Sequence, residues 1–484
     1  MLKPLSLADA QRLREFFRQA NYTHQEFEGR RFLAELPSRS GTLPLMLDHT
    51  REPTLPNLIL RLFFLNVPVT AAHAESLVPA SIVAALVESG MLVRGAGGTL
   101  SSTVMLTPCD ECLFAADRPA RLDSHPPDLV IWPNPTTRLL HQFTIRRPSR
   151  ATLDLGSGCG IQAIFAAAHS ETVVATDLNL RAEEFTRFNA WLNGVTNIEC
   201  LTGDTFGPVR NRQFDLIVAN PPFFVTPSSD QIYCENQMEL DQYCRRIARE
   251  APAHLNEGGY LQMVCEWVAE RGQSWQDRLR EWIADSGCDA WVFRGYVRDT
   301  AGYARERIRQ TAPDESGETL QRWLDYYRER GVAEIHGGIV AMRRRSGPNW
   351  VRFEEMPLDP NQPFGEAVCH AFASIDQLEQ HGSDDELLAA HLRLYPDTQL
   401  DQQFRQSGGR WQTRGMALRF TGGIPGSMRL EPMVADFLGG MDGSTTLAEL
   451  IEGFARKAAA PPEVVQRECL SVIRRLIERR FILH

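Results

Sequence analysis

The stretch LDLGSGCGIQAIFAAAH, residues 153–169, places a short apolar run, a glycine-rich turn and a longer apolar segment in direct succession. We predict a strand, a turn and a helix over these residues. Gly156, Gly158 and Gly160 let the backbone approach a ligand closely, and they open a helix whose N-terminus favours anionic groups. Because many nucleotide-binding folds use such a turn, the flanking sequence must show what it binds.

Strands and helices alternate from Ala151 onward. The predicted strands are ATLDLG, TVVATD, NIECLTGD, FDLIVAN, GYLQMVCE, AWVFRGYV and, as the last, IHGGIVAMRRR, which a helical insert SGETLQRWLDYYRERG precedes. This alternation predicts a parallel sheet that helices cover on both faces. We therefore expect an α/β protein with a doubly wound, Rossmann-like sheet.

Both ends of the chain lack the alternation, so we predict three domains. A helical, winged-helix-like N-terminal domain covers residues 1–116, and the sheet domain covers residues 117–345. Residues 117–137 are rich in proline and predict a linker into the sheet domain. Residues 346–484 predict a mostly helical C-terminal domain.

The winged-helix pattern consists of two short helices around Pro79 and a hairpin around Gly95-Ala96-Gly97-Gly98. In such a module the second helix reads nucleic acid. Here that helix carries Glu88 as its charge and no arginine. The pattern therefore favours a packing or protein-contact module over DNA recognition.

Composition is ordinary for a soluble globular protein, with 43% hydrophobic and 23% charged residues among 484. The net charge of -10 leaves nucleic-acid binding to a local patch. No run of about 18 apolar residues predicts a membrane span, and the N-terminus lacks the features of a secretory signal. The ten scattered cysteines suit a reducing cytoplasm. Cys109 and Cys112 have metal-ligand spacing, but no second CxxC follows, so we expect no metal.

Acidic residues accompany three neighbouring predicted strands. Asp154 precedes the first glycine of the turn by two residues, where a carboxylate can hold a cationic amine. Asp177 ends the following strand, where an acid can accept both hydroxyls of a ribose. Asp204 ends the third strand, where a carboxylate can accept a hydrogen bond from an adenine amine. Because the ends of parallel strands share one rim, we expect these groups to converge on one crevice.

The fourth strand, Leu216 to Ala219, runs directly into Asn220-Pro221-Pro222-Phe223. Two prolines end a strand because neither can donate to a sheet ladder. A strand terminator alone would need neither the asparagine nor the aromatic ring. The four residues therefore predict a second functional group at the same rim.

This combination in residues 151–270 resembles the class I S-adenosylmethionine-dependent methyltransferases, specifically the N-methylating group with an Asn-Pro-Pro-aromatic motif. That group includes release-factor glutamine methyltransferases, adenine amino-methyltransferases of DNA and tRNA, and small-domain guanine methyltransferases of rRNA. The segment FNAWLNGV, residues 188–195, also resembles a helix end common in the RNA and glutamine members.

The resemblance implies S-adenosyl-L-methionine as the cofactor and two sets of site residues. The predicted cofactor-binding residues are Asp154, Gly156, Ser157, Gly158, Gly160, Asp177, Leu178, Asp204, Thr205, Asn220 and Thr137. The predicted catalytic residues, at the substrate, are Asn220, Pro221, Pro222 and Phe223. Residues 154–160 are placed around the methionine part, Asp177 on the ribose and Asp204 at the adenine. For Thr137, a plain helix cap is an equal alternative.

The motif also has a chemical interpretation. An amide or aryl amine is hard to methylate because its nitrogen lone pair is delocalised into a planar system. The Asn220 side-chain oxygen and the Pro221 carbonyl can accept its two N–H bonds, which aligns the lone pair with the sulfonium methyl. Phe223 can stack on the planar group. No strong general base is needed.

Several substrate classes fit this chemistry. A glutamine side chain in a protein fits the motif and the acidic charge, although the glutamine enzymes usually carry tyrosine in place of Phe223. An exocyclic base amine in RNA fits Phe223 and the flanking domains, although the net charge argues mildly against it. A small molecule or peptide ranks third, and a cofactor-binding regulatory protein is the alternative that is not an enzyme. We expect an RNA or protein substrate, no membrane, and allow for a homodimer.

Overall fold

The computed structural model describes residues 2–29, 43–123, 126–227, 232–311, 317–359, 361–380 and 383–483. Its contacts divide the chain into two compact units. The first is Met1–His141 with Arg147–Pro360, and the second is Gln142–Arg146 with Asn361–His484. The first unit thus holds both the predicted N-terminal domain and the predicted sheet domain. The domain boundaries at residues 116 and 345 stay a prediction.

The secondary structure is as follows. The helices are α1 (Leu7–Gln19), α2 (His24–Gly29), α3 (Leu43–His49), α4 (Leu55–Phe63), α5 (Ala71–Leu77), α6 (Ala80–Glu88), α7 (Pro119–Asp123), α8 (Pro135–Phe143), α9 (Ile161–Ala166), α10 (Leu180–Asn193), α11 (Gln242–Glu250), α12 (Trp275–Ile283), α13 (Thr300–Thr311), α14 (Gly317–Glu329), α15 (Gly365–Gln380), α16 (Asp384–Ala389), α17 (Pro432–Leu438), α18 (Leu447–Ala458) and α19 (Pro462–Glu478). The strands are β1 (Val69–Thr70), β2 (Leu92–Gly95), β3 (Thr99–Ser102), β4 (Met105–Cys109), β5 (Cys112–Ala116), β6 (Ser149–Leu155), β7 (Ser170–Asp177), β8 (Ile198–Thr202), β9 (Phe214–Ala219), β10 (Leu255–Glu270), β11 (Cys288–Asp299), β12 (Val332–Arg344), β13 (Val351–Glu355), β14 (Arg393–Leu394), β15 (Thr398–Ser407), β16 (Arg410–Phe420), β17 (Ser427–Leu430) and β18 (Ile482–Leu483).

The central sheet has the order β8-β7-β6-β9-β10-β12-β11-β13 and confirms the predicted α/β fold class. It is mixed, however, and not parallel throughout. The strands from β8 to β10 run parallel to their neighbours, whereas β12 is antiparallel to both β10 and β11. Asp299 at the end of β11 pairs with Glu334 near the start of β12. The insert α13–α14 therefore returns the chain to the same end of the sheet, and β12 must reverse direction.

The strand order changes direction between β6 and β9. β9 is buried along its length except for the half-exposed Asp215, because elements cover both faces. Leu155 and Ala219 are register partners, so Gly156 and Asn220 leave the sheet side by side. In doubly wound sheets this switch point, at the carboxyl ends of the strands, is where ligands bind.

The N-terminal helices share one hydrophobic core with α9 and α10. The hairpin β4–β5 is attached to α10 by two asparagine side chains from the FNAWLNGV segment. Asn189 donates to the Ala115 carbonyl at 2.8 Å and accepts from the Ala115 N–H at 2.8 Å. Asn193 does the same at Leu113, at 2.8 and 2.9 Å. Each carboxamide thus pairs with a strand edge as a neighbouring backbone would.

The second unit combines helices with a three-stranded sheet, β15-β16-β17, which the prediction of a mostly helical domain missed. Leu418, Met428 and Leu430 of this sheet pack into a core with α18 and α19. Much of β15 and β16 is exposed on both faces, so these strands lack the hydrophobic alternation that identifies a strand in a sequence. In the part of the chain that the structure describes, no helix has the length and apolar character to span a membrane.

Candidate functional site

A cavity of about 400 Å³ opens at the carboxyl ends of β6 to β9. Ligand pockets in proteins are commonly about 300–1,000 Å³. The predicted site residues that line it are Thr137, Gly156, Ser157, Gly158, Asp177, Leu178, Asp204, Asn220 and Pro222. Those outside its described lining are Asp154, Gly160, Thr205, Pro221 and Phe223. The four strand ends thus meet at one cavity, although not every predicted residue reaches it.

The turn after β6 needs glycine for two separate reasons. Gly156 has a φ of 79°, a conformation that favours glycine, and its N–H donates to the Thr176 carbonyl at 2.8 Å. At Gly160, which precedes α9, an added Cβ would lie 2.8 Å from Cγ2 of Thr186 on α10. Gly160 therefore lets two helices approach each other, and its contribution to the cavity is indirect.

Asp177, at the end of β7, has its carboxylate held by two backbone donors. Oδ2 accepts from the Gly158 N–H and Oδ1 from the Asn179 N–H, both at 2.8 Å. Burial raises the pKa of this carboxyl, and the two hydrogen bonds oppose the rise. Because a carboxylate has about four acceptor positions, roughly two remain for donors in the cavity. The arrangement fits a pair of adjacent hydroxyls.

Asp204 lies at the margin of the cavity with Arg246. The guanidinium donates to Asp204 Oδ2 and to Thr205 Oγ1, each at 2.9 Å. Thr205 therefore supports Arg246 and lines a neighbouring surface hollow. Leu178, which is 57% exposed, and the ring of Tyr243 line the same cavity as Asp204. Together they supply an apolar surface beside an acceptor, which suits a planar ring with an amine.

Asp154 lies beneath the turn and does not line the cavity. It is 1% exposed, and its Oδ2 accepts from the Ala163 N–H at 2.9 Å. Oδ1 has no hydrogen-bond partner among the described residues. Burial, together with a smaller contribution from the nearby Asp177, raises its pKa to about 7. The predicted contact with a cationic amine is thus not made at the cavity wall, although a buried acceptor without a partner is an atom that a donor would satisfy.

Asn220 follows β9, and Thr137 orients its amide. The Thr137 hydroxyl donates to Asn134 Oδ1 at 3.1 Å and accepts from Asn220 Nδ2 at 3.4 Å. In this orientation the opposite atom, Asn220 Oδ1, receives no hydrogen bond from a described residue. The Thr137 N–H also donates to Asn134 Oδ1 at 2.9 Å, so Asn134 is the residue that caps α8, and Thr137, the third residue of that helix, lines the cavity instead.

The two prolines of the motif differ in what their carbonyls meet. Asn236 donates to the Pro222 carbonyl at 2.8 Å. Within the described residues no donor reaches the carbonyl of Pro221, a buried residue outside the described lining of the cavity. Asn220 Oδ1 is therefore the acceptor that the turn offers at the cavity, a side chain fixes the peptide after Pro222, and the role of the Pro221 carbonyl as a second acceptor stays a prediction.

Phe223 packs partly against the core of the sheet. Its ring centroid lies 5.7 Å from that of Phe224, and the Arg307 guanidinium covers the Phe224 ring at 3.9 Å. The proposed stacking of Phe223 on a planar substrate is not visible in the cavity lining and stays a prediction.

The sequence prediction missed Asn236, Tyr243 and Arg246, which all line the cavity. Asn236 belongs to a segment, 232–238, that follows the Asn-Pro-Pro turn and contributes a large part of the wall. Its one signal in the sequence is a group of polar residues, CENQ, soon after the turn. Spacing alone could not reveal that its side chain returns to Pro222.

The described residues contain no group of three His, Cys, Asp or Glu side chains suited to a metal ion, and the absence of a metal stays an expectation. Cys109 and Cys112 are cross-strand partners in the hairpin β4–β5. Burial raises the pKa of the Cys109 thiol to about 12 and that of Cys112 to about 11. Both values disfavour the thiolate that a metal requires.

Two regions of the chain match models of known protein families. The family model Methyltransferase small domain matches residues 134–284, and a model described as a domain of unknown function, DUF7782, matches residues 370–484. The release factor glutamine methyltransferase of Cereibacter sphaeroides is 34% identical over 29% of this chain and 55% of its own. The protein of that name from Thermodesulfovibrio yellowstonii is 32% identical over 37% of this chain and 68% of its own. The ribosomal RNA small subunit methyltransferase C of Alcanivorax borkumensis is 29% identical over 23% and 31%.

Among solved structures, the ribosomal protein L11 methylase from Lactobacillus delbrueckii subsp. bulgaricus matches 44% of this chain and 81% of its own, with 18% identity and a TM-score of 0.26. The chain spans 55% and 39% of the lengths of the first two curated relatives. The relative from T. yellowstonii is matched over more than two thirds of its length at 32% identity. With the small-domain model over the sheet and the cavity, this match shows that the chain belongs to the small-domain methyltransferase family.

Proposed function

We propose that the protein transfers a methyl group from S-adenosylmethionine to a planar nitrogen. The observation that carries the proposal is the amide of Asn220. Its oxygen is available as an acceptor at the same cavity that holds the glycine turn and the Asp177 carboxylate. Binding the cofactor alone would not require such an acceptor beside two prolines.

The cavity residues suit the cofactor part by part. The remaining acceptor positions of Asp177 match the two ribose hydroxyls, and Asp204 matches the adenine amine. Leu178 and Tyr243 provide apolar surface for the adenine ring, and the turn at Gly156 gives close backbone approach. When bound there, the cofactor supplies an electrophilic methyl group on a sulfonium.

The residues of the chain then act on the acceptor nitrogen. Asn220 Oδ1 and the Pro221 carbonyl accept its two N–H bonds, which turns the lone pair out of conjugation and favours the tetrahedral nitrogen of the transition state. Thr137 and Asn236 hold these acceptors in place. A new N–C bond forms as the S–C bond breaks, and the nitrogen then loses a proton to solvent. Because no group must remove that proton beforehand, positioning supplies most of the rate.

Two acceptor classes have support from the relatives. Proteins named release factor glutamine methyltransferase and ribosomal protein uL3 glutamine methyltransferase favour a glutamine amide, whereas the relative named ribosomal RNA small subunit methyltransferase C favours a base amine in RNA. The ten cysteines, none of which forms a disulfide, are consistent with the cytoplasm as the site of action.

The experiment uses cofactor with a radiolabelled methyl group, the pure protein and a cell extract. Samples are then treated separately with ribonuclease and with protease. Label that ribonuclease removes identifies an RNA base, and label that only protease removes identifies a protein amide. The Asn220→Ala variant is the control, and equal labelling by this variant would contradict the proposal.

A further inference from the structure

The hairpin β15–β16 carries an exposed tip, residues 402–414, which we call the ribbon. Every residue of the ribbon is exposed. The third strand, β17, pairs only with Met416 to Arg419 of β16, so the ribbon extends beyond the three-stranded part of the sheet. A two-stranded hairpin without a covered face gains little stability of its own. Its sequence is therefore not explained by packing.

The two faces of the ribbon differ in chemistry. Phe404 pairs with Thr413 and Gln406 with Trp411, so both aromatic rings lie on one face. Phe404 is 53% exposed and Trp411 is 73% exposed. They occupy diagonal positions across the strands, within reach of one another as large side chains. The ribbon thus offers two neighbouring rings to solvent.

The other face is basic. Arg405 and Arg410 lie there, and Arg414 lies at the bulge beside it. None of the three forms an ion pair with a described residue. No acidic residue occurs from 402 to 418, although the whole chain has a net charge of -10. The ribbon therefore has a charge opposite to that of the rest of the protein.

We propose that the ribbon binds unpaired RNA. Bases of a single strand stack on exposed aromatic rings, and arginines contact the phosphates that follow them. A polyanion is attracted to this basic segment, whereas the acidic remainder of the surface repels it. The inference concerns binding by the second unit and does not rest on methyl transfer. If the bound RNA is also the methyl acceptor, it decides between the two proposed substrate classes.

A protein partner or a second copy fits the ribbon less well. Aromatic anchors in protein interfaces lie in packed apolar patches. Here the residues around the two rings are Gln402, Gln406 and Thr413. Their amide and hydroxyl groups can donate to and accept from base edges. In a contact between the ribbons of two copies, the three arginines would face the same three arginines.

The test measures fluorescence anisotropy of a labelled single-stranded RNA of about 20 nucleotides, longer than the roughly 4–16 nucleotides that one single-strand binding domain covers. The full-length protein is titrated without cofactor. The double variant Phe404→Ala/Trp411→Ala should raise the Kd at least about thirtyfold, the change expected when two base stacks are lost. Replacing the three arginines by glutamine should reduce the slope of log Kd against log salt by about 2, because single strands give roughly 0.7 per neutralised phosphate.

Matched controls in the same unit are Met433→Ala and Arg467→Gln, which remove an exposed apolar residue and an exposed arginine outside the ribbon. Both should bind RNA as the wild type does. Failure of the wild type to bind at low salt, or equal binding by the ribbon variants, overturns the proposal. Sedimentation of the ribbon variants as monomers from a dimeric wild type would also overturn it, in favour of a contact between copies. Methyl transfer is measured in a separate assay. A failure of RNA binding by the ribbon therefore does not count against the proposed methyl transfer, and a failure of methyl transfer does not count against RNA binding.

Discussion

The two halves of the cavity hold their polar groups in opposite ways. On the proposed cofactor side, both oxygens of Asp177 accept backbone N–H bonds at 2.8 Å. On the acceptor side, the nitrogen of Asn220 is bonded, through Thr137 at 3.4 Å, and the oxygen has no donor among the described residues. In the proposed function, a group that only binds is thus fixed through the atoms that bind. The group proposed to act at the reacting nitrogen is fixed through its other end, so that its acceptor stays available for the transition state.

The largest effect should come from breaking the acceptor side. Asn220→Ala removes an acceptor that matters only as the nitrogen becomes tetrahedral, so the single-turnover rate should fall about 10²–10³-fold. Calorimetric affinity for the cofactor should stay within about twofold of the wild type, because Asp177 is untouched. A rate close to that of the wild type would contradict the division between the two halves.

A substitution on the proposed cofactor side should weaken cofactor binding and change the rate at saturating cofactor little. Asp177→Asn removes the charge from the hydrogen bonds to the ribose, each worth roughly 1.5–3 kcal/mol, so the cofactor Kd should rise about 10–100-fold. At saturating cofactor the rate should be largely restored. Glu171→Gln, at an exposed position near the opposite end of β7, is the matched control and should bind normally. An unchanged Kd in Asp177→Asn would show that the diol does not bind there.

A smaller effect should come from removing the hydrogen bond by which Asn236 supports the Asn-Pro-Pro turn. Asn236→Leu removes the donor to the Pro222 carbonyl, and losing one such bond should lower kcat about three- to tenfold. The KM for the acceptor should change less than kcat, since the reacting geometry and not the affinity is disturbed. Asn236→Gln, which keeps a donor, should recover part of the rate. A change confined to KM would instead make Asn236 a substrate-binding residue.

The last expected effect concerns stability and leaves rate and affinity aside. Because burial raises the pKa of Asp154 to about 7, the folded state holds a proton there more tightly than the unfolded state does. Its contribution to the free energy of unfolding is therefore full below pH ~4 and is lost as the pH rises towards ~7, with a slope of at most roughly 1.4 kcal/mol per pH unit. In Asp154→Asn this dependence should disappear. Urea unfolding of both proteins between about pH 5 and 8 measures it, and parallel profiles would contradict the raised pKa.

Much of the sheet could be predicted because its strands are short apolar runs separated by strong turn signals. The convergence of the glycine turn, Asp177, Asp204 and Asn220 follows from the shared rim of parallel strands. The position of Asp154 beneath the turn was not predictable, because a residue two places before the glycine can face either side of the backbone. The contact of Asn236 with Pro222 joins positions 14 apart through a loop, which no periodicity describes. The sheet of the second unit was missed because polar residues occupy both faces of its strands.

The attachment of the hairpin β4–β5 has a consequence for how freely that hairpin can change. In the hairpin, Asn189 and Asn193 bind the backbone N–H and carbonyl of Ala115 and of Leu113, respectively, and every amino acid except proline offers both groups. The two asparagines therefore impose an extended shape on the strand without dictating the identity of its residues. Substitutions along β5 are limited by packing instead, because Leu113 to Ala116 are buried in the core shared with α10, whereas a change at either asparagine would remove hydrogen bonds that join the hairpin to the helix.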